Sequence, residues 1–224
     1  MRRTAIWIVI VVIALILLGI GWYFFVDQKP SSSPASLSPV TTTDHILGDP
    51  AAPIVFVEYC DIESPYCRSF QTVMENVIAA YGKNGSVAWV YRHLPLTDQY
   101  ANAEELAEAS ECVGALGGTN TFFKFIDTVA ASGSADGLSG AASYAPFITP
   151  LGIDSTSFAS CLASQTYAPL VAAQTKDALS AGASGAPYTV VFIEGHATIP
   201  IQGAFSYSQM QQLIDTLLAK VPAS

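Results

Sequence analysis

Ile54-Val55-Phe56-Val57-Glu58-Tyr59-Cys60-Asp61-Ile62-Glu63-Ser64-Pro65-Tyr66-Cys67-Arg68-Ser69-Phe70 is the stretch on which the fold turns. From Pro53 to Tyr59 it is almost continuously apolar, as expected of a strand covered on both faces. Ser64-Pro65 then opens a helix. Serine suits the N-cap, and proline, which has no N–H to leave unpaired, suits the first helical position. Phe70, Val73, Val77, Ile78 and Tyr81 recur at helical spacing, and Gly82 stops the run. Val87–Tyr91 reads as a second strand, so the three elements form a βαβ unit. Two residues stand out chemically. Glu58 is an acid in the middle of an apolar strand, where burial is expected to raise its pKa. Cys60 lies two residues nearer the turn and, by strand alternation, on the same face as Glu58.

Outward from this unit, residues 98–180 are Ala-rich and helical in character, broken by Gly and Pro. Tyr188–Ile193 reads as a strand, and Thr198–Gln202 as a short one ended by Gly203. A last helix starts at Ser206, with Gln209 three residues on in a capping-box pattern. Met210, Leu213, Ile214, Leu217 and Leu218 form its apolar stripe. Periodicity alone supports an α/β domain.

The chain has 224 residues, enough for one ordinary domain with appendages. Its net charge of −9 and the lack of any Lys/Arg cluster argue against nucleic acid as a partner. The first 26 residues differ from the rest. Met1-Arg2-Arg3 precedes an uncharged stretch from Thr4 to Val26. About 20 apolar residues suffice for a membrane-spanning helix. A cleavable signal peptide has a core of only about 7–15 residues and a small-residue cleavage site, which Gly21-Trp22-Tyr23-Phe24-Phe25 does not offer. The expectation is an uncleaved single-pass anchor in the cell membrane (residues 5–26), with Arg2 and Arg3 holding the N-terminus in the cytoplasm and the domain outside. Residues 27–43 carry three prolines and eight Ser/Thr between Pro30 and Thr43 and read as a tether. The domain is then residues 44–224. Four cysteines in an exported domain are a reason to consider disulfides.

The stretch closely resembles the active-site segment of the DsbA-like thiol:disulfide oxidoreductases, a branch of the thioredoxin fold. Those proteins carry Cys-x-x-Cys at this point. Here the second cysteine is Cys67 and the first is replaced by Ser64, and a hydroxyl cannot form a disulfide. The resemblance covers about residues 44–221. Further markers are His45-Ile46-Leu47-Gly48-Asp49-Pro50, Tyr91-Arg92-His93-Leu94-Pro95-Leu96, Glu111-Cys112, Phe158-Ala159-Ser160-Cys161-Leu162 and Gly185-Ala186-Pro187-Tyr188. It implies a thioredoxin fold with an all-helical insertion matching residues 98–180.

The same resemblance implies roles. Cys67 corresponds to the buried thiol that resolves mixed disulfides. Glu58 corresponds to the acid beneath the active site that handles protons. Cys112 and Cys161 match a second, structural disulfide of many members. Ala186-Pro187 matches the cis-proline loop, which faces the active-site turn of Ser64, Pro65, Tyr66 and Cys67 and pairs with extended substrate segments. The bland readings stand beside these. Ser64 is explained as an N-cap, and the sequence offers no recognisable base or oxyanion hole beside it, which argues against serine hydrolysis. Cys60 is expected to be a buried thiol packed under the helix. The sharper alternative, a substitute redox pair with Cys67, needs Cα atoms within about 7 Å. The cysteine spacing (six, 44 and 48 intervening residues) does not look like a zinc motif, and no cofactor is implied. His93 reads as structural, while His45 and His196 show no constellation.

The expected function is that of a membrane-anchored, extracytoplasmic thiol:disulfide oxidoreductase acting on exported polypeptides with cysteines, together with a membrane redox partner, its turnover compromised by Ser64. The alternative is a redox-inactive chaperone or adaptor that keeps the cis-proline groove. A third reading makes Ser64 an introduced trapping substitution in an ordinary oxidase.

Overall fold

Residues 37–133, 137–195 and 198–220 are described by the computed structural model. The apolar stretch of residues 4–26, most of the tether and His196 lie outside them. Among the described residues no helix is long and apolar enough to cross a membrane.

Strand β2 (Ile54–Cys60) is followed by helix α1 (Pro65–Val77) and strand β3 (Val87–His93), and β2 and β3 pair in parallel. This is the expected βαβ unit. Both strands are buried almost throughout, as their apolar runs require. Helix α1 gives way at Ile78–Gly82 to a π-helical turn, so the apolar stripe continues through Tyr81 with a change of winding. The remaining strands are β1 (His45–Gly48), β4 (Tyr188–Ile193) and β5 (Ile199–Gln202). The sheet order is β1-β3-β2-β4-β5, with β1, β4 and β5 pairing antiparallel to their neighbours. Strand β1 was read from sequence only as a marker ahead of the first strand. Its end is fixed by Gly48, whose φ is +93° and where a Cβ would sit 2.5 Å from the Val87 carbonyl oxygen.

The insertion begins at Ala103 rather than at 98. It comprises α2 (Ala103–Gly117), α3 (Thr119–Ser132), the short α4 (Ala145–Ile148), α5 (Ser155–Ala163) and α6 (Ala168–Ser180), with single 3₁₀ turns at Ala141–Tyr144 and Thr149–Leu151. Helix α7 (Tyr207–Leu218) closes the fold. Its Ser206–Gln209 capping box forms in both directions: the Ser206 Oγ accepts from the Gln209 N–H, and Gln209 Oε1 accepts from the Ser206 N–H.

Two apolar layers flank the sheet. On one face Phe56, Cys60, Trp89, Tyr91 and Val191 pack with Phe70 and Met74 of α1, Met210 and Ile214 of α7, and Phe122 and Phe125 of α3. On the other, Val57, Tyr59, Val90, Tyr188 and Val190 pack with Ala178 of α6. Leu37 and Val40 also pack there. The tether therefore ends earlier than residue 43. Arg92 explains why. Its guanidinium donates to both Asp44 carboxylate oxygens (2.8 and 3.1 Å), to Asp177 Oδ2 (3.0 Å), to the Tyr59 hydroxyl (3.1 Å) and to the carbonyls of Ser38 and Pro39 (3.0 Å each). Ser38 in turn donates its N–H to Asp177 Oδ1 at 2.9 Å.

Candidate functional site

The site lies where β2 runs into α1. A three-residue turn, Asp61–Glu63, reverses the chain, and the buried Asp61 side chain ties it. Asp61 Oδ1 accepts from the Glu63 N–H (2.8 Å) and Oδ2 from the Leu96 N–H (2.6 Å). Burial raises the Asp61 pKa, and these backbone donors partly offset it. Ser64 stands at the N-cap with extended dihedrals and Pro65 follows at the first helical position, but the serine hydroxyl makes no cap bond. Ser64 is itself buried, whereas Tyr66 is exposed at 68%.

So tight a turn lays the first turn of α1 over the end of β2. Cys67 thereby meets Cys60: the two are joined as a disulfide, with Cα atoms 5.7 Å apart. This corrects the expectation of a free, packed thiol at Cys60. Alternation placed Cys60 on the correct face, but whether Cys67 reached it depended on the path of the turn. Both residues are buried, at 1% and 3% exposure. The Asp61 N–H donates to Cys67 Sγ at 3.2 Å.

Glu58 is wholly buried beneath this pair. Burial pushes its pKa up to about 8, opposed by the Trp89 indole N–H. Glu58 Oε1 lies 2.7 Å from Cys60 Sγ. A disulfide sulfur carries no proton, so the donor in that contact is the neutral carboxyl. Thr189 is the cross-strand partner of Glu58, and its buried Oγ1 has no hydrogen-bond partner among the described residues.

The Ala186–Pro187 peptide bond is cis. Tyr188 pairs with Tyr59, so extending that register by one residue sets Pro187 opposite Cys60. The Pro187 carbonyl accepts from the Gly203 N–H at 2.9 Å. Pro187 is buried and Ala186 half-buried.

Beside the pair lies a cluster that the sequence did not disclose. Glu111 accepts from His45 Nε2 (3.0 Å) and from His93 Nε2 (2.9 Å). Burial alone would raise its pKa, but the two histidines outweigh burial and hold it at about 2. His45 stacks on Phe122 at 3.7 Å. Gly114 makes room, since a Cβ there would sit 2.5 Å from the imidazole. His93 pairs with Cys60 across β2 and β3, so its structural reading gains a partner, and His45, read as isolated, acquires one. Residues 66 and 18 apart leave no local pattern to find. One residue past Glu111, Cys112 of α2 is disulfide-bonded to Cys161 of α5, with Cα atoms 5.9 Å apart. No group of three or more His, Cys, Asp or Glu side chains among the described residues is arranged to hold a metal ion.

A sheet whose parallel βαβ unit carries a disulfide at its first strand-to-helix junction, opposite a cis-proline loop and with a helical insertion after it, defines a DsbA-like thioredoxin fold. The chain belongs to the thioredoxin family, whose model matches residues 40–216. Similar solved structures include oxidised BdbD from Bacillus subtilis (17% identity, 83% of this chain and 98% of that one, TM-score 0.70). Others are α-DsbA1 from Wolbachia pipientis (19%, 81% and 94%, 0.69) and DsbA2 from Pseudomonas aeruginosa (21%, 83% and 100%, 0.68). At these identities the likeness is one of fold. Among curated proteins, part of the chain is similar to Na⁺/H⁺ antiporter NhaA 3 of Salinispora tropica (40% over 74 residues) and NhaA 1 of Mycolicibacterium gilvum (32% over 105 residues). The matches cover 33% and 44% of this chain, and 11% and 17% of those proteins.

Proposed function

We propose that this protein exchanges disulfides with cysteine-containing polypeptides outside the cytoplasmic membrane, using Cys60 and Cys67 as its redox pair in place of the family's Cys-x-x-Cys. The observation that carries the reading is the Cys60–Cys67 bond, which joins the end of β2 to the first turn of α1 with the protonated Glu58 carboxyl against one sulfur. A disulfide becomes useful for exchange when one leaving sulfur is stabilised as thiolate and the other can be protonated. Ser64, in the family's attacking position, does neither. Residues 5–26 anchor the domain, and Ala186 and Pro187 with Pro65 and Tyr66 form the surface that meets the substrate chain.

The test compares full-length wild type, Cys60→Ala and Ser64→Cys for oxidation of a reduced dithiol peptide. Wild type is expected to oxidise the peptide and Cys60→Ala to be inactive. Equal rates for wild type and Cys60→Ala would remove Cys60 from the chemistry. A second reading is favoured by the burial of both sulfurs: the disulfide is a staple and the protein binds unfolded chains without turnover. Activity only in Ser64→Cys, with wild type inactive but still binding an unfolded polypeptide, would establish that reading.

A further inference from the structure

We infer that the two cysteines have exchanged their family roles: Cys67 carries the mixed disulfide with substrate, and Cys60 is the buried leaving thiol protonated by Glu58. The inference rests on the redox reading of the pair and deepens it. In the resemblance, Cys67 occupies the resolving position and the attacking cysteine lies three residues before it. With Ser64 there, the pair is Cys60 and Cys67, and the surroundings of the two sulfurs differ in kind.

Cys67 lies in the first turn of α1, where the unpaired backbone N–H groups of a helix start favour a negative charge. The Asp61 N–H already points at its sulfur, at 3.2 Å. Both Asp61 carboxylate oxygens are taken by backbone donors, Glu63 N–H and Leu96 N–H. Pro65 and Tyr66, the two residues before Cys67 in the same helical turn, are exposed. Cys60 is at the end of a central strand, with the Glu58 carboxyl 2.7 Å from its sulfur and Tyr91 and Phe56 on the same sheet face. Among the described residues no backbone donor reaches its sulfur. A thiolate is stabilised at Cys67, and a thiol at Cys60.

The step balances accordingly. A substrate thiolate attacks Cys67 Sγ and forms the new S–S bond. The Cys67–Cys60 bond breaks, and its electron pair leaves on Cys60 Sγ. The Glu58 carboxyl gives its proton to that sulfur and becomes a carboxylate. A second substrate thiolate then attacks the substrate's own sulfur in the mixed disulfide, and Cys67 leaves as the thiolate facing the Asp61 N–H. The substrate has lost two electrons, the Cys60–Cys67 pair has gained them, and Glu58 recovers a proton from solvent.

The experiment uses full-length Cys60→Ser and Cys67→Ser chains, reduced and mixed with 5-thio-2-nitrobenzoate disulfide, with peptide mapping to locate the adduct. The Cys60→Ser chain is expected to form its adduct at Cys67 at least about tenfold faster than the Cys67→Ser chain forms one at Cys60. Equal rates or the reverse order would overturn the assignment. Glu58→Gln keeps both cysteines and probes the other half. It should slow reduction of the Cys60–Cys67 bond by reduced glutathione by on the order of 100-fold. The same change placed in the Cys60→Ser chain should leave adduct formation at Cys67 unaltered, and an equal slowing there would refute the proton-donor role. Wild type with reduced glutathione separates the two levels of argument. Exchange in wild type with the order reversed sinks the role assignment alone, whereas no exchange in wild type and no adduct in either variant sinks the redox reading as well.

Discussion

Glu58 is held in a place that costs stability whenever it is charged. A buried carboxyl whose folded pKa is raised to about 8 folds most readily protonated. Below the unfolded value of 4.5 the group is neutral in both states and imposes no penalty. As pH rises from there to about 8, the unfolded chain ionises freely and the folded one does not, so stability falls by about 1.4 kcal/mol per unit and then levels. At pH 7 the penalty is about 3 kcal/mol. Glu58→Gln should therefore raise the melting temperature at pH 8 and leave it nearly unchanged at pH 4.5. A shift of equal size at both pH values would show that the carboxyl is not the source. Glu111 has the opposite sign. Its pKa is held at about 2 by His45 and His93, so its contribution is present above the unfolded value and lost as pH falls from about 4.5 towards 2. The proposed proton-donor role would account for so costly an acid at Glu58. The acid's burial was legible, because Glu58 interrupts an apolar run. The Glu111 contacts were not, because they join three separate elements.

At the scale of elements, two devices fix the insertion and the entry of the chain. The Cys112–Cys161 bond ties α2 to α5 across a sequence separation of 49 residues. Closing a loop of that length removes chain entropy worth about 4 kcal/mol in the unfolded state. Replacing both cysteines by Ala is expected to lower unfolding free energy in urea by about 2–4 kcal/mol. No loss would mean that the helices hold together without the bond. The second device is the Arg92 cluster. Arg92→Ala leaves Asp44 and Asp177 buried without their cation, which typically costs about 3–5 kcal/mol. It should also free residues 38–44, measurable as faster amide exchange there than in β2. Unchanged exchange in residues 38–44 would show that Leu37 and Val40 hold the segment by packing alone. The disulfide was expected from the resemblance, whereas the Arg92 cluster was not read from the sequence. Arg92 looked like one marker among six, and Ser38 sat in a Pro/Ser/Thr run whose composition signals a tether. Composition describes what a segment lacks, and it is blind to two apolar side chains that find a cleft. Strand β1 escaped for a related reason, since His45–Gly48 is too short to show alternation and ends in a glycine.

For the whole molecule, the order of strand, helix and strand carried the fold. Each of β2, α1, β3, β4 and α7 had its own periodic signal, and the insertion announced itself as a long Ala-rich block. Hydrophobic patterning encodes elements well and their meetings poorly, which is why the sheet was legible and the Cys60–Cys67 bond was not. Placement in the cell is argued on different ground. The body is acidic, while the two cations at the extreme N-terminus adjoin the uncharged run from Thr4 to Val26. Positive charge beside an apolar span is retained on the cytoplasmic side. The proposed exchange chemistry, which needs disulfides to persist, would place the domain in an oxidising compartment. Both agree with the proposed extracytoplasmic placement. Protease added to intact cells should therefore degrade the domain, from about residue 37 onward, while sparing a short N-terminal fragment that includes residues 5–26. Permeabilised cells supply the control. A domain that survives in intact cells but not in permeabilised ones would put it in the cytoplasm. A mature chain beginning near residue 26 would make the apolar run a cleaved leader and leave the domain unanchored.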